Sequence, residues 1–130
     1  VSTAPDYLRF AQMLLNGGAL GGQRIMSRTT VRYMASDHLG RIPIAQTAGG
    51  NVLGPTMYGF GLGVAVRPGD GVAGTPGSAG DFYWGGYAGT YFWVDPKEQL
   101  TAVIMMQSPG AQRPYHRGLM RQLTYQAIVD

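Results

Sequence analysis

Apolar positions first repeat along this chain with a helical period. Tyr7, Phe10, Ala11, Leu14 and Leu15 recur at i, i+3, i+4, i+7 and i+8, which places them on one face of a helix. The spacing predicts a helix over 3–15. Thr3 can cap it, Pro5 fits the first turn, and Asp6 stands three residues after Thr3, as in a capping box. Asn16-Gly17-Gly18 ends it, because glycine tolerates a left-handed cap. Ser27 opens a second, shorter helix with Val31, Met34 and Ala35 inward and Arg28 and Arg32 outward, stopping at Asp37-His38-Leu39-Gly40. Residues 40–56 carry Pro43, Gly49, Gly50, Gly54 and Pro55 and read as a loop.

At Met57 the period falls to two. Tyr58, Phe60, Leu62, Val64 and Val66 alternate with Gly59, Gly61, Gly63 and Ala65, which predicts one strand over 57–66 whose glycine face something packs flush against. Residues 67–81 are a long turn region. Phe82–Trp84, Gly89–Val94 and Leu100–Gln107 read as strands, with Asp95-Pro96-Lys97-Glu98 as the tight turn between the last two. A final helix spans 114–130, with Leu119, Met120, Leu123 and Ala127 as its apolar stripe. The order predicts an α+β unit: a helical part (1–40), an antiparallel β-meander (57–107) and a C-terminal helix (114–130) flanking the sheet.

Composition narrows the class. With 130 residues there is one domain or a piece of a larger one. Charged residues make up 13%, about half the usual share, which implies much buried surface, in a core or against further sequence. Net charge is +3, and Lys97 is the only lysine. Five arginines (Arg9, Arg24, Arg28, Arg32 and Arg41) fall early and would suit an anionic surface, but no nucleic-acid motif accompanies them, and a solvated basic face explains them as well. No apolar run reaches the ~20 residues of a membrane span, and without cysteine there are no disulfides or thiolate metal sites.

The familiar chemistries fail on context. Gly69-Asp-Gly-Val-Ala-Gly74 matches a dinucleotide fingerprint, but Pro76 and Gly77 follow where a helix must open. His38 and His116 have no partner at metal-ligand spacing. Asp37-His38 reads either as an orienting pair or as a histidine at a helix end. No metal and no cofactor is implied.

Four stretches together carry a resemblance: S-T-A-P-D-Y-L-R-F-A-Q-M-L-L-N-G-G, G-Q-R-I-M-S-R-T-T-V-R-Y-M, Y-G-F-G-L-G and W-G-G-Y-A-G-T-Y-F-W-V-D-P-K-E. In this order they resemble the C-terminal part of the serine β-lactamase-like superfamily, the group of class C β-lactamases, family VIII carboxylesterases and D-alanyl-D-alanine carboxypeptidases. The resemblance implies a β-lactamase/transpeptidase-like fold and acyl-enzyme hydrolysis of esters or β-lactam/peptide-like amides. Trp84-Gly85-Gly86 stands where that family has Lys-Thr-Gly, as in its esterase-like members, and so would wall the site. The next residue, Tyr87, would donate its backbone N–H to the oxyanion hole, with Gly85 and Gly86 clearing the strand edge. Taken as a bare residue, Trp84 could also be core; within this motif the wall reading is preferred. Gln107 and Ser108 could reach the cleft or cap a strand end; Arg113 and Arg117 could bind a substrate carboxylate or lie on the surface.

The family's other two motifs are missing. Ser2, Ser27, Ser36, Ser78 and Ser108 lead three residues on to Pro5, Thr30, Leu39, Asp81 and Ala111, so no Ser-x-x-Lys exists, and no Tyr-x-Asn or Tyr-x-Ser follows. In the family both lie N-terminal to the segment matched here. The expectation is a C-terminal fragment of a bacterial-type enzyme, inert alone, whose strand edges are completed by the N-terminal half of the domain or by a second copy of the chain. The rival expectation is a non-catalytic structural or interaction module that keeps the fold.

Overall fold

The computed structural model describes residues 2–40, 42 and 57–129; the expected loop over 40–56 lies almost wholly outside them. Helix α1, Ala4–Leu15, begins as its sequence requires. Thr3 Oγ1 accepts from the Asp6 N–H (3.3 Å) and its hydroxyl donates to Asp6 Oδ2 (2.7 Å). Ala11, Met13 and Leu14 are buried, while Phe10 remains 41% exposed at the margin, edge-on to Tyr7. Gly18, at φ +96°, lies so close to the Met26 carbonyl that no Cβ would fit. This approach folds back a short hairpin, β1 (Ala19–Leu20) and β2 (Gln23–Arg24), turning on Gly21-Gly22. Helix α2, Arg28–Met34, is capped by Ser27 Oγ, which accepts from the Thr30 N–H at 3.0 Å.

The expected single strand over 57–66 is instead a hairpin of β3 (Gly59–Phe60) and β4 (Ala65–Val66). The Gly61 N–H donates to Val64 O at 2.8 Å, and Gly63 takes φ +87°, which glycine adopts without strain. Tyr58 and Val66 therefore sit in opposite layers of the core. The flush packing is real: a Cβ on Gly59 would fall on the Asp37 carboxylate and one on Gly61 on the Met34 carbonyl. Asp37 Oδ1 accepts from Leu39 N–H (2.9 Å) and Phe60 N–H (3.1 Å), and His38 Nε2 lies 2.9 Å from Tyr33 O. This is the helix-end reading of Asp37-His38, since the aspartate binds backbone on both sides.

Strands β5 (Phe82–Gly85), β6 (Gly89–Asp95) and β7 (Leu100–Gln107) complete an antiparallel sheet of order β3-β4-β5-β6-β7. One face packs Phe82, Phe92 and Val94 on α1 and on Val31 of α2; the other packs Tyr83, Tyr91 and Trp93 beneath helix α3, Gln112–Gln126. α3 presents only part of the expected apolar stripe: Met120 packs against the Tyr91 and Trp93 layer. Leu119 and Leu123 are 39% and 54% exposed, whereas Arg121 is 2% exposed. The turn region 67–81 is the reason. Arg121 donates to Pro76 O (2.7 Å), Tyr91 Oη (2.9 Å) and Asp81 Oδ2, and Asp81 Oδ2 also accepts from Arg67 Nε (2.7 Å). The turn's polar groups thus draw a charged edge of α3 inward.

Asp95 ends β6 as a second buried carboxylate. It accepts from Tyr125 Oη (2.6 Å), Ser78 N–H (3.1 Å), Lys97 N–H (3.1 Å) and Glu98 N–H (3.2 Å). Burial alone would raise its pKa, but the bonds from Tyr125, Glu98 and Ser78 outweigh that and hold it below 3.8. A carboxyl with a depressed folded pKa stabilises the fold above its unfolded value, and that contribution is lost as pH falls through the folded value. Asp95→Asn should therefore lie below wild type in urea midpoint near neutral pH, with the gap closing as pH drops from about 5 to about 2. A gap that stays constant across this range would contradict the assignment.

Candidate active site

The site is built where β5 ends and β6 begins. Trp84 is half-buried, edge-on to Phe60 at 5.2 Å, and contacts the core on both faces of the sheet. Beside it, on the α1 face, opens a cleft of about 570 Å³ lined by Tyr7, Trp84, Gly86, Thr90, Phe92 and Gln107 among others. Trp84 thus serves both as core and as wall.

The glycines have a different immediate cause from clearance for a substrate. A Cβ on Gly85 would lie 2.5 Å from Arg117 Nη2 and 2.6 Å from its Cζ; one on Gly86 would fall on Thr90 Oγ1. Their space is filled by the protein's own groups. The loop 86–88 is closed by Gly86 N–H to Thr90 O (2.8 Å), Gly89 N–H to Gly86 O (3.1 Å) and Ser108 N–H to Ala88 O (2.6 Å). A register shift between Gly89 and Tyr91 lets β6 leave the loop with Gly89 at φ +118°. Tyr87 is 84% exposed, and among the described residues its N–H has no hydrogen-bond partner.

The remaining candidates separate. Gln107 lines the cleft. Ser108 lies on the α3 face, in an apolar groove with Met106, His116 and Leu119. Arg113 donates to Tyr87 O at 2.8 Å and lies over the Tyr87 ring at 5.6 Å. Arg117 donates to Gly86 O (2.6 Å), Thr90 O (2.9 Å) and Gly89 O (3.3 Å) and lies 5.4 Å above the Tyr91 ring. Burial, then the charge of Arg113, lowers its pKa, yet a guanidinium remains protonated. Sequence reasoning did not single out Thr90, Phe92 or Tyr7 as lining. The period-2 alternation of β6 could have paired Thr90 and Phe92 with the Trp84 face; Tyr7 needed the packing of α1.

No serine is joined to a lysine or histidine among the described residues: Ser2 Oγ, at the cleft rim, donates only to Thr3 O, and Ser78 lies with Asp95 and Glu98. No group of three potential metal ligands occurs among them either.

Residues 1–125 match the Beta-lactamase family model, and the chain belongs to that family, within the serine β-lactamase-like superfamily. It is 36% identical over 116 residues to Protein Rv1367c of Mycobacterium tuberculosis, covering 82% of this chain and 27% of that protein. Among solved structures it is similar to "EstCE1, a hydrolase with promiscuous acyltransferase activity", at 26% identity and TM-score 0.65 over 87% of this chain and 28% of that one. A penicillin-binding protein homolog from Caulobacter crescentus shares the fold at 18% identity and TM-score 0.71, over 98% of this chain and 32% of that one. The chain thus spans about a quarter of the curated relative it matches.

Proposed function

We propose that this chain supplies the oxyanion-side wall of a serine acyl hydrolase acting on esters. The Tyr87 N–H carries the reading: among the described residues it is an unpaired donor, in the turn directly after Trp84-Gly85-Gly86, the three residues that line the cleft. Such a donor stabilises the negative oxygen that develops when a carbonyl is attacked. Nucleophile and base would come from sequence outside this chain. The similarity to EstCE1 and the tryptophan in place of a motif lysine favour an uncharged ester over a carboxylate-bearing β-lactam. The same reading gives a partner to the exposed Leu119 and Leu123 and to the edge of β7 that pairs with no strand among the described residues: the rest of the domain, or a second copy.

The full-length protein carrying this chain should hydrolyse p-nitrophenyl acetate and take a fluorophosphonate label, whereas the purified 130-residue chain should do neither. Turnover by the isolated chain would overturn the division of labour. A full-length protein that neither turns over nor labels would favour the non-catalytic module.

A further inference from the structure

We propose that Arg117 is the positioning residue of this site: by holding the carbonyl of Gly86 it sets, and polarises, the Tyr87 N–H that faces the reacting oxygen. This rests on the oxyanion reading above and adds to it the group that makes the donor point the right way.

Gly86 C=O and Tyr87 N–H belong to one planar trans amide, so they point in opposite directions. Arg117 rises from α3 and meets the Gly86 oxygen at 2.6 Å. The N–H of the same amide therefore points away from Arg117, and Gly86, the residue that carries the bound carbonyl, lines the cleft. A cation on the carbonyl oxygen also draws electron density from the amide and strengthens its N–H as a donor.

Arg117 adds to the backbone bonds that close the loop, including the Gly89 N–H on the same Gly86 oxygen at 3.1 Å. Arg117 reaches three carbonyls, those of Gly86, Gly89 and Thr90, and Arg113 takes the intervening Tyr87 O. Only a glycine at 85 leaves room for the guanidinium. Gly85 is therefore a seat for Arg117, which explains a glycine whose Cβ position points at the guanidinium. The same bonds remove Arg117 from the pool of cations available to a substrate carboxylate.

The test uses the full-length protein and p-nitrophenyl acetate. Arg117→Met should lower kcat by about 30-fold or more, with KM within about two-fold, because the lost interaction acts in the transition state. Arg117→Lys should recover part of the loss, since an ammonium can hold one of the three carbonyls. Gly85→Ala, which expels the guanidinium from its seat, should reproduce the Arg117→Met defect, and the double variant should be no worse than either. In protein labelled with ¹⁵N-tyrosine, the Tyr87 amide resonance should move in all of them. A folded Arg117→Met variant with kcat within about two-fold of wild type, or an unmoved Tyr87 amide, overturns the proposal. Should Arg117→Met fail to fold, Arg117→Lys and Gly85→Ala decide by the same readouts. A wild type that neither turns over nor labels overturns the oxyanion reading itself, and the Tyr87 amide shift then still decides whether Arg117 orients this peptide.

Discussion

Replacing Asp81 with alanine should destabilise the protein carrying this chain by about 3–5 kcal/mol, read from the urea unfolding midpoint near neutral pH. Asp81 is fully buried, and its Oδ2 accepts from both Arg67 and Arg121, which are 1% and 2% exposed. Burial pushes the Asp81 carboxyl up to about 6, against the pull of Arg121 and then Arg67, so near neutral pH it is still a carboxylate. Its removal strands two cations out of water. Neither can neutralise itself by losing a proton. Exchanging all three together for Met, Leu and Met should cost much less than the single change, because no unpaired charge then remains. If Asp81→Ala cost under about 1 kcal/mol, the cluster would not be the anchor described.

Gly77→Ala should be comparably severe, on the order of 4 kcal/mol or loss of folding altogether. Gly77 adopts φ +143°, a region that residues with a Cβ avoid, and an added Cβ would press on Asp81 Oδ2 and on the guanidinium groups of Arg121 and Arg67. Gly80 is the control. It also has positive φ, +88°, but open space surrounds the added atom. Gly80→Ala should cost only the backbone strain, roughly 1–2 kcal/mol. Thermal or urea unfolding of the two variants side by side checks this; equal losses would mean that backbone conformation, not the charge cluster, sets the requirement at Gly77.

Local signals carried much of the fold. The caps at Thr3 and Ser27 and the apolar spacing of α1 are readable because each acts within a few residues. The strands 82–85, 89–95 and 100–107 differ from their predicted bounds by a residue at most. The hairpin at 59–66 was hidden because alternation continues through its turn, where glycine takes either conformation without a visible break. The face of α3 was hidden for the opposite reason. Hydrophobicity ranks Leu119 and Leu123 above Arg121, and only the distant Asp81 and Pro76 reverse the order. At the site, Trp84-Gly85-Gly86 stood out through family resemblance, but the reason for Gly85 lies on another element, at Arg117.

Arg113, Arg117 and Arg121 follow one another at four-residue steps along α3, and all three reach backward onto earlier chain. Two grip the loop over 86–90, and the third grips the turn over 76–81. The helix is therefore not an interchangeable end-piece. In a recombinant chimera, a C-terminal helix taken from a relative would have to arrive with these three guanidinium groups in phase, or with the loop and turn that receive them. Crossover points between residues 90 and 112 would separate donors from acceptors, whereas one ahead of residue 67 would keep the set together.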